Sequence, residues 1–278
     1  VSRLAVRRAQ AGFTLTELAV VAMIIALLVG GVLMTLAAQN TVREVRDTTR
    51  TLEIAREAVL GFAVANGRLP CPAPAPPPPA TPPGSFALEA FVNPGAGVPS
   101  TDLRCANDEG FLPALTLGIG PTDRYGYLLD AWGNPVRYAV STALPVGSAG
   151  FNLATCPPNT ANPDFMRCPV FTTANALLAV GFARAPSTYA GGLLRVCTEA
   201  ACTGPQVLTP AVVWSGGKNL AFGTPSPDEA ANVATVGDRT FVHTTPRPVG
   251  HADGEFDDIV LSIPPAVLFN RLLTAGGV

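Results

Sequence analysis

Charge is what this 278-residue chain lacks most: Asp, Glu, Lys and Arg make up only 14% of it, and the formal net charge is −2. Lysine occurs once, at Lys218, so the chain has no basic footprint of the kind nucleic-acid binders carry. Histidine occurs twice, at His243 and His251, eight residues apart and in no paired catalytic motif. Ser215 follows Val213-Trp214, so it is no G-x-S-x-G nucleophile. Gly216-Gly217-Lys218-Asn219 lacks the hydroxyl residue that a phosphate-binding loop places on magnesium. No enzyme is expected from these residues. With 48% hydrophobic residues, disorder is not expected either, and the chain is long enough for one sizeable domain plus an extension or for two small domains.

What the chain does have begins at its start. Arg3, Arg7 and Arg8 are the only charges in residues 1–12, and no charged residue occurs from Leu18 to Ala38. As a helix, those 21 residues would reach about 31 Å, enough for a bilayer core. The arginines ahead of them predict a cytoplasmic N-terminus and an external C-terminal portion. A secretory signal cut near Leu36-Ala37-Ala38 and an uncut signal anchor share this layout. Neither explains Glu17, a carboxylate set at the head of the apolar run, where ionised groups are costly and usually functional.

Gly12-Phe13-Thr14-Leu15-Thr16-Glu17 leading into an apolar segment resembles the processing site of type IV prepilins and type II secretion pseudopilins. The resemblance implies cleavage between Gly12 and Phe13 by a prepilin peptidase/methyltransferase, and N-methylation of Phe13. It implies that Glu17 serves assembly, meeting the N-terminal amine of a neighbouring subunit. Loss of the leader would make the mature chain three units more acidic. The expected partners are other pilin or pseudopilin subunits, the processing enzyme and the inner membrane. The expected location is the inner membrane, single pass with a periplasmic domain, and then the filament. The length favours a minor subunit. The rival reading is a ligand-binding tip subunit, an adhesin or DNA-uptake pilin, on the same scaffold.

The expected domains are a leader at 1–12, a helix at 13–66 and a globular domain at 67–278. The helix would have a membrane and assembly part at 13–38 and an amphipathic part at 39–66. Val42, Val45, Thr49, Leu52, Arg56, Val59 and Ala63 recur at helical spacing and form its expected buried stripe. Asn66-Gly67 reads as its end. Many pilins carry a proline where this chain has Met34, and Gly30-Gly31 offers a flexible point instead. Residues 70–83 hold nine prolines and are expected to be an extended surface loop.

Beyond it, glycine, proline and asparagine punctuate strand candidates at Val136–Ser141, Ala176–Phe182, Leu193–Cys197, Val207–Trp214, Thr240–Thr244 and Phe256–Ile263. Helices are expected at Pro227–Ala234, with Ser226 and Glu229 as a capping box, and at Pro265–Leu273. The fold class expected is α+β, a long helix packed on an antiparallel sheet. Asp130-Ala131-Trp132-Gly133-Asn134-Pro135 is similar to the turn that opens the pseudopilin sheet, with Ala131 in place of proline.

Six cysteines, Cys71, Cys105, Cys156, Cys168, Cys197 and Cys202, lie after the apolar segment and suit an oxidising compartment better than a zinc site. Six allow 15 pairings; nearest-neighbour pairing (71–105, 156–168, 197–202) is expected because each pair closes a plausible loop. Asp253, Glu255, Asp257 and Asp258 surround Gly254 with oxygen ligands and read either as a solvated acidic turn leading into a strand or as calcium ligands, since major pseudopilins, which the chain resembles, bind calcium in the equivalent loop. No cofactor is expected, calcium being the one candidate.

Overall fold

The computed structural model describes residues 14–66, 69–91, 105–140, 194–220, 226–233 and 240–275. The side chains of 29–38, Phe269 and Leu273 lie outside that description. The strand candidate Ala176–Phe182, the cysteines Cys156 and Cys168, and the cleavage residues Gly12 and Phe13 lie outside it too. Two compact units result, Val1–Arg46 and Asp47–Val278. The proline-rich stretch lies within the second and divides nothing.

Helix α1 runs from Leu15 to Asn66, straight through Gly30 and Gly31. Its end in the second unit buries Thr48, Leu52, Ala55, Val59, Leu60 and Ala63. Leu52, Val59 and Ala63 of the expected stripe are buried as expected, but Val42 and Val45 are exposed, and Thr48 and Ala55 take inward places that the stripe had not included. Small side chains at 48, 55 and 63 let the helix sit close to a sheet. Burying Leu52, Val59 and Leu60 contributes at most ~1.5–3 kcal/mol each.

The first sheet is fully antiparallel and ordered β1 (Glu109–Phe111), β2 (Arg137–Val140), β5 (Ala211–Ser215), β7 (Ile259–Ile263). Its faces alternate with the strand period of two. Tyr138, Val140, Ala211, Val213 and Ile263 join the α1 core, whereas Ala139, Val212, Trp214 and Val260 form a second core with Leu194 and Phe241. Because both faces are covered, β5 is buried at every position and reads as a continuous apolar run. Trp214 meets Phe241 edge-to-face at 4.8 Å between centroids.

The second cover is a small sheet ordered β4 (Gln206–Thr209), β3 (Leu194–Cys197), β6 (Thr240–Val242). Here β3 pairs antiparallel with β4 but parallel with β6, so the sheet expectation holds for the first layer and not for this one. The single strand expected at Val207–Trp214 is two strands in different sheets. Pro210 divides them because it has no N–H to donate to a ladder. The Thr209 hydroxyl spans the break, accepting from the Ile263 N–H at 3.1 Å and lying 2.7 Å from the Ile263 carbonyl.

Short helices complete the unit: α2 (Ala114–Leu117), α3 (Pro227–Asn232) and α4 (Pro265–Thr274). Ser226 and Glu229 form the expected reciprocal capping box on α3. On α4, Leu268 and Leu272 enter the α1 core, and Arg271 pairs with Glu57 at 2.8 Å. The fold is therefore α+β, with the N-terminal helix packed on an antiparallel sheet. Disulfides join Cys71 to Cys105 and Cys197 to Cys202, and each has a Cα–Cα distance of 5.3 Å.

Candidate processing and assembly site

Glu17 lies in the first turn of α1. Its Oε2 accepts from the Thr14 backbone N–H at 2.9 Å and from the Thr14 hydroxyl at 2.7 Å. The Glu17 N–H is 3.3 Å from the same hydroxyl oxygen. This is a capping box, the Thr-x-x-Glu arrangement that satisfies two of the donors a helix leaves unpaired at its start. The sequence reading assigned Glu17 to a partner in another subunit and missed this bond, although the Thr14-x-x-Glu17 spacing was the signal for it. A carboxylate at a helix N-terminus also faces the positive end of the helix dipole.

After the cap, the helix turns apolar side chains outward on all sides. Leu15 is 88% exposed, and Leu18, Val20, Val21, Met23, Ile24, Ile25, Leu27 and Leu28 are each more than half exposed. A helix apolar all round is one meant for burial in lipid or among other helices, and a patch this size marks an interaction site. Among the described residues no helix is long and apolar enough to cross a membrane. The part of the expected span at 29–38 lies outside the described side chains.

The turn at 130–135 acts as a staple for the domain. One oxygen of Asp130 accepts from the N–H groups of Trp132 and Asn134, at 2.9 and 2.8 Å. Its other oxygen takes the Ser215 hydroxyl at 2.6 Å. Ala131 N–H reaches Thr48 of α1, and Asn134 Nδ2 reaches the Gly217 carbonyl. Gly133 has φ +86°, so glycine suits the turn. Burial raises the Asp130 carboxyl above its ordinary range, and its hydrogen bonds, with Ser215 foremost, oppose that.

The expected calcium ligands are only partly together. Asp257 and Asp258 meet Glu229 of α3, with carboxylate oxygens within 4.8 Å of one another. Asp253 is exposed and lies beside His251, at 3.6 Å, and Glu255 is not in the cluster. Glu229 accepts from Asn219 Nδ2 at 2.9 and 3.0 Å. Asp257 accepts from the Lys218 N–H, and Asp258 from Asn232 Nδ2, both within 2.8 Å. Burial pushes the Asp257 carboxyl up to about 6, with Glu229 and Glu255 adding repulsion. Burial likewise pushes Asp258 up to about 8. Three oxygen-bearing side chains suit a hard cation by ligand type. Glu229 is 28 residues from Asp257, so no local spacing could have linked them.

Residues 7–33 match the model of the prokaryotic N-terminal methylation motif. Comparison with curated proteins finds no match to the chain, and comparison with solved structures finds none.

Proposed function

We propose that this chain, which carries the N-terminal methylation motif of type IV prepilins and secretion pseudopilins, is a structural subunit of such a filament. The observation that carries the reading is the segment after Phe13: a capped helix start, then an exposed apolar surface, followed in the chain by a unit with a core of its own. Such a chain is built to be held by lipid first and by other helices later. The subunit is inserted in the inner membrane through Leu18–Ala38, N-terminus inside and domain in the periplasm. It is cleaved between Gly12 and Phe13, methylated on Phe13, and added to a pilus or pseudopilus as a minor component. It catalyses nothing itself.

Glu17 has two tasks on this reading. In the single chain it caps its own helix. In the filament a neighbour's Phe13 amine becomes available, and a desolvated carboxylate gains more from a cation than from a hydroxyl. Mass spectrometry of the chain from its native host tests the proposal. The expected N-terminus is methylated Phe13. An N-terminus at Ala38 or Gln39 would establish an ordinary secreted protein and end the pilin reading. A ligand-binding tip subunit is the second reading, favoured by the exposed stretch at Pro74, Ala75, Pro78, Pro79 and Ala80.

A further inference from the structure

The first charges after the apolar run are Arg43, Glu44 and Arg46. Helix α1 is unbroken there, and the two arginines stand five and eight residues past Ala38. At ~1.5 Å per residue, their Cα atoms lie about 7.5 and about 12 Å beyond Ala38 along the helix. Side chains on a helix lean toward its N-terminus, so long ones at 43 and 46 are carried back toward the apolar run. The polar layer of a bilayer is about 5–7 Å deep on each side of the hydrocarbon core. With the edge of the core at Ala38, Arg43 lies at that layer, and Arg46 reaches it by leaning back.

Both arginines are available. Gln39, Val42, Arg43 and Arg46 are exposed and line one shallow hollow on the helix surface. Among the described residues neither arginine makes an ion pair. Glu44 is half-buried, lies about 100° round the helix from Arg43, and has a partner of its own. Asp47 follows on a shorter side chain, one residue farther from the apolar run than Arg46. Three residues apart, the arginines share a helix face. A guanidinium presents a planar fork of donors that matches a phosphate, and Val42, 61% exposed, adds an apolar contact beside them.

We propose that Arg43 and Arg46, with Gln39 and Val42, form a docking site for the phosphate of an anionic phospholipid at the outer face of the membrane. The site rests on the reading of Leu18–Ala38 as a membrane span. Position identifies the occupant: lipid that covers the exposed apolar surface of α1 presents its head groups to the arginines on the same helix. Contacts to phosphates at one depth hold the helix against sliding along the membrane normal while the subunit awaits assembly.

The test reconstitutes the full chain in phosphatidylcholine vesicles containing a trace of spin-labelled phosphatidylglycerol or of spin-labelled phosphatidylcholine. Electron spin resonance then compares how much of each lipid the protein holds. A preference for phosphatidylglycerol is expected. An arginine at a lipid surface contributes on the order of fivefold, so Arg43→Gln/Arg46→Gln should lower the preference by at least that factor. The melting temperature should not change. Arg43→Lys/Arg46→Lys should keep most of the preference, and Arg124→Gln/Arg195→Gln, the same loss of charge elsewhere, should keep all of it. Arg3, Arg7 and Arg8 are present in every variant, so the difference belongs to the site. A chain that inserts but holds both lipids equally would overturn the site and leave the membrane reading intact. So would a preference that survives Arg43→Gln/Arg46→Gln. A chain that alkaline carbonate strips from the vesicles would end the membrane reading, and the site with it.

Discussion

Replacing Cys71 and Cys105 together by alanine should strongly destabilise the folded unit while leaving its surface largely untouched. The bridge spans a sequence separation of 34, whereas Cys197–Cys202 spans 5. If a disulfide acts by restricting the unfolded chain, loops of these sizes give about 4 and about 2 kcal/mol. Cys71 and Cys105 are 1% and 7% exposed, so alanine also removes two packed sulfurs, and the long loop's total rises to about 4–5 kcal/mol. For a domain of ordinary stability that is a large share of the whole. Urea unfolding of the full chain in detergent, followed by tryptophan fluorescence, measures it. Trp214 sits at the centre of the second core and should report the transition. The Cys197→Ala/Cys202→Ala pair is the internal control, with a loss near half as large. Equal losses, or a larger loss from the short loop, would refute the argument from loop length. Free thiols at Cys71 and Cys105 in chain taken from its native host would remove the oxidising-compartment premise.

Three further outcomes are expected. Glu17→Ala should still be cleaved, as judged by gel shift, but enter sheared filaments poorly. Thr14→Val removes the hydroxyl of the cap alone and should assemble far better, whereas equal defects would assign Glu17 to capping only. The Asp257 and Asp258 carboxyls are raised in the fold, so the folded state holds their protons more tightly than the unfolded one. Their contribution is therefore greatest below about pH 4 and is lost as pH rises, through about 6 for Asp257 and about 8 for Asp258. Asp258→Asn should flatten this decline in thermal melts taken from pH 5 to 9, and millimolar calcium should raise the wild-type melting temperature at pH 8 if the cluster takes the ion. Gly217→Ala should cost more than about 2 kcal/mol. Its φ is +64° and an added Cβ would lie 1.9 Å from an Asp257 carboxylate oxygen, so a variant as stable as wild type in urea would contradict the geometry.

The parts of this protein that its sequence determined are those written in short stretches. The Gly-Phe-Thr-Leu-Thr-Glu start lies within the N-terminal methylation motif and is legible without any tertiary contact. The Ser226–Glu229 capping box, the helix after Pro264-Pro265, and the strand cores around Val213 and Val260 follow from local spacing. Even Thr14 and Glu17 carried a legible cap, hidden only because the carboxylate had a more conspicuous use.

What the tertiary structure decided are the choices between alternatives that local chemistry leaves equal. The helical pattern from Val42 onward placed Leu52, Val59 and Ala63 inward but did not say which neighbours flank them. The sheet brings in Thr48 and Ala55, where smaller side chains permit close approach, and leaves Val42 and Val45 exposed. Strands β3 and β6 lie more than 40 residues apart, and their parallel pairing brings Leu194 and Phe241 into one core with Trp214. Asp257 and Asp258 were legible as acidic, but their third carboxylate arrives on α3, and burial rather than sequence sets their protonation. The prolines of 70–83 were legible as an extended stretch. Only the fold could bring Tyr125, Tyr127 and Arg124 to the carbonyls of Pro74, Pro79 and Thr81, because those donors lie more than 40 residues along the chain.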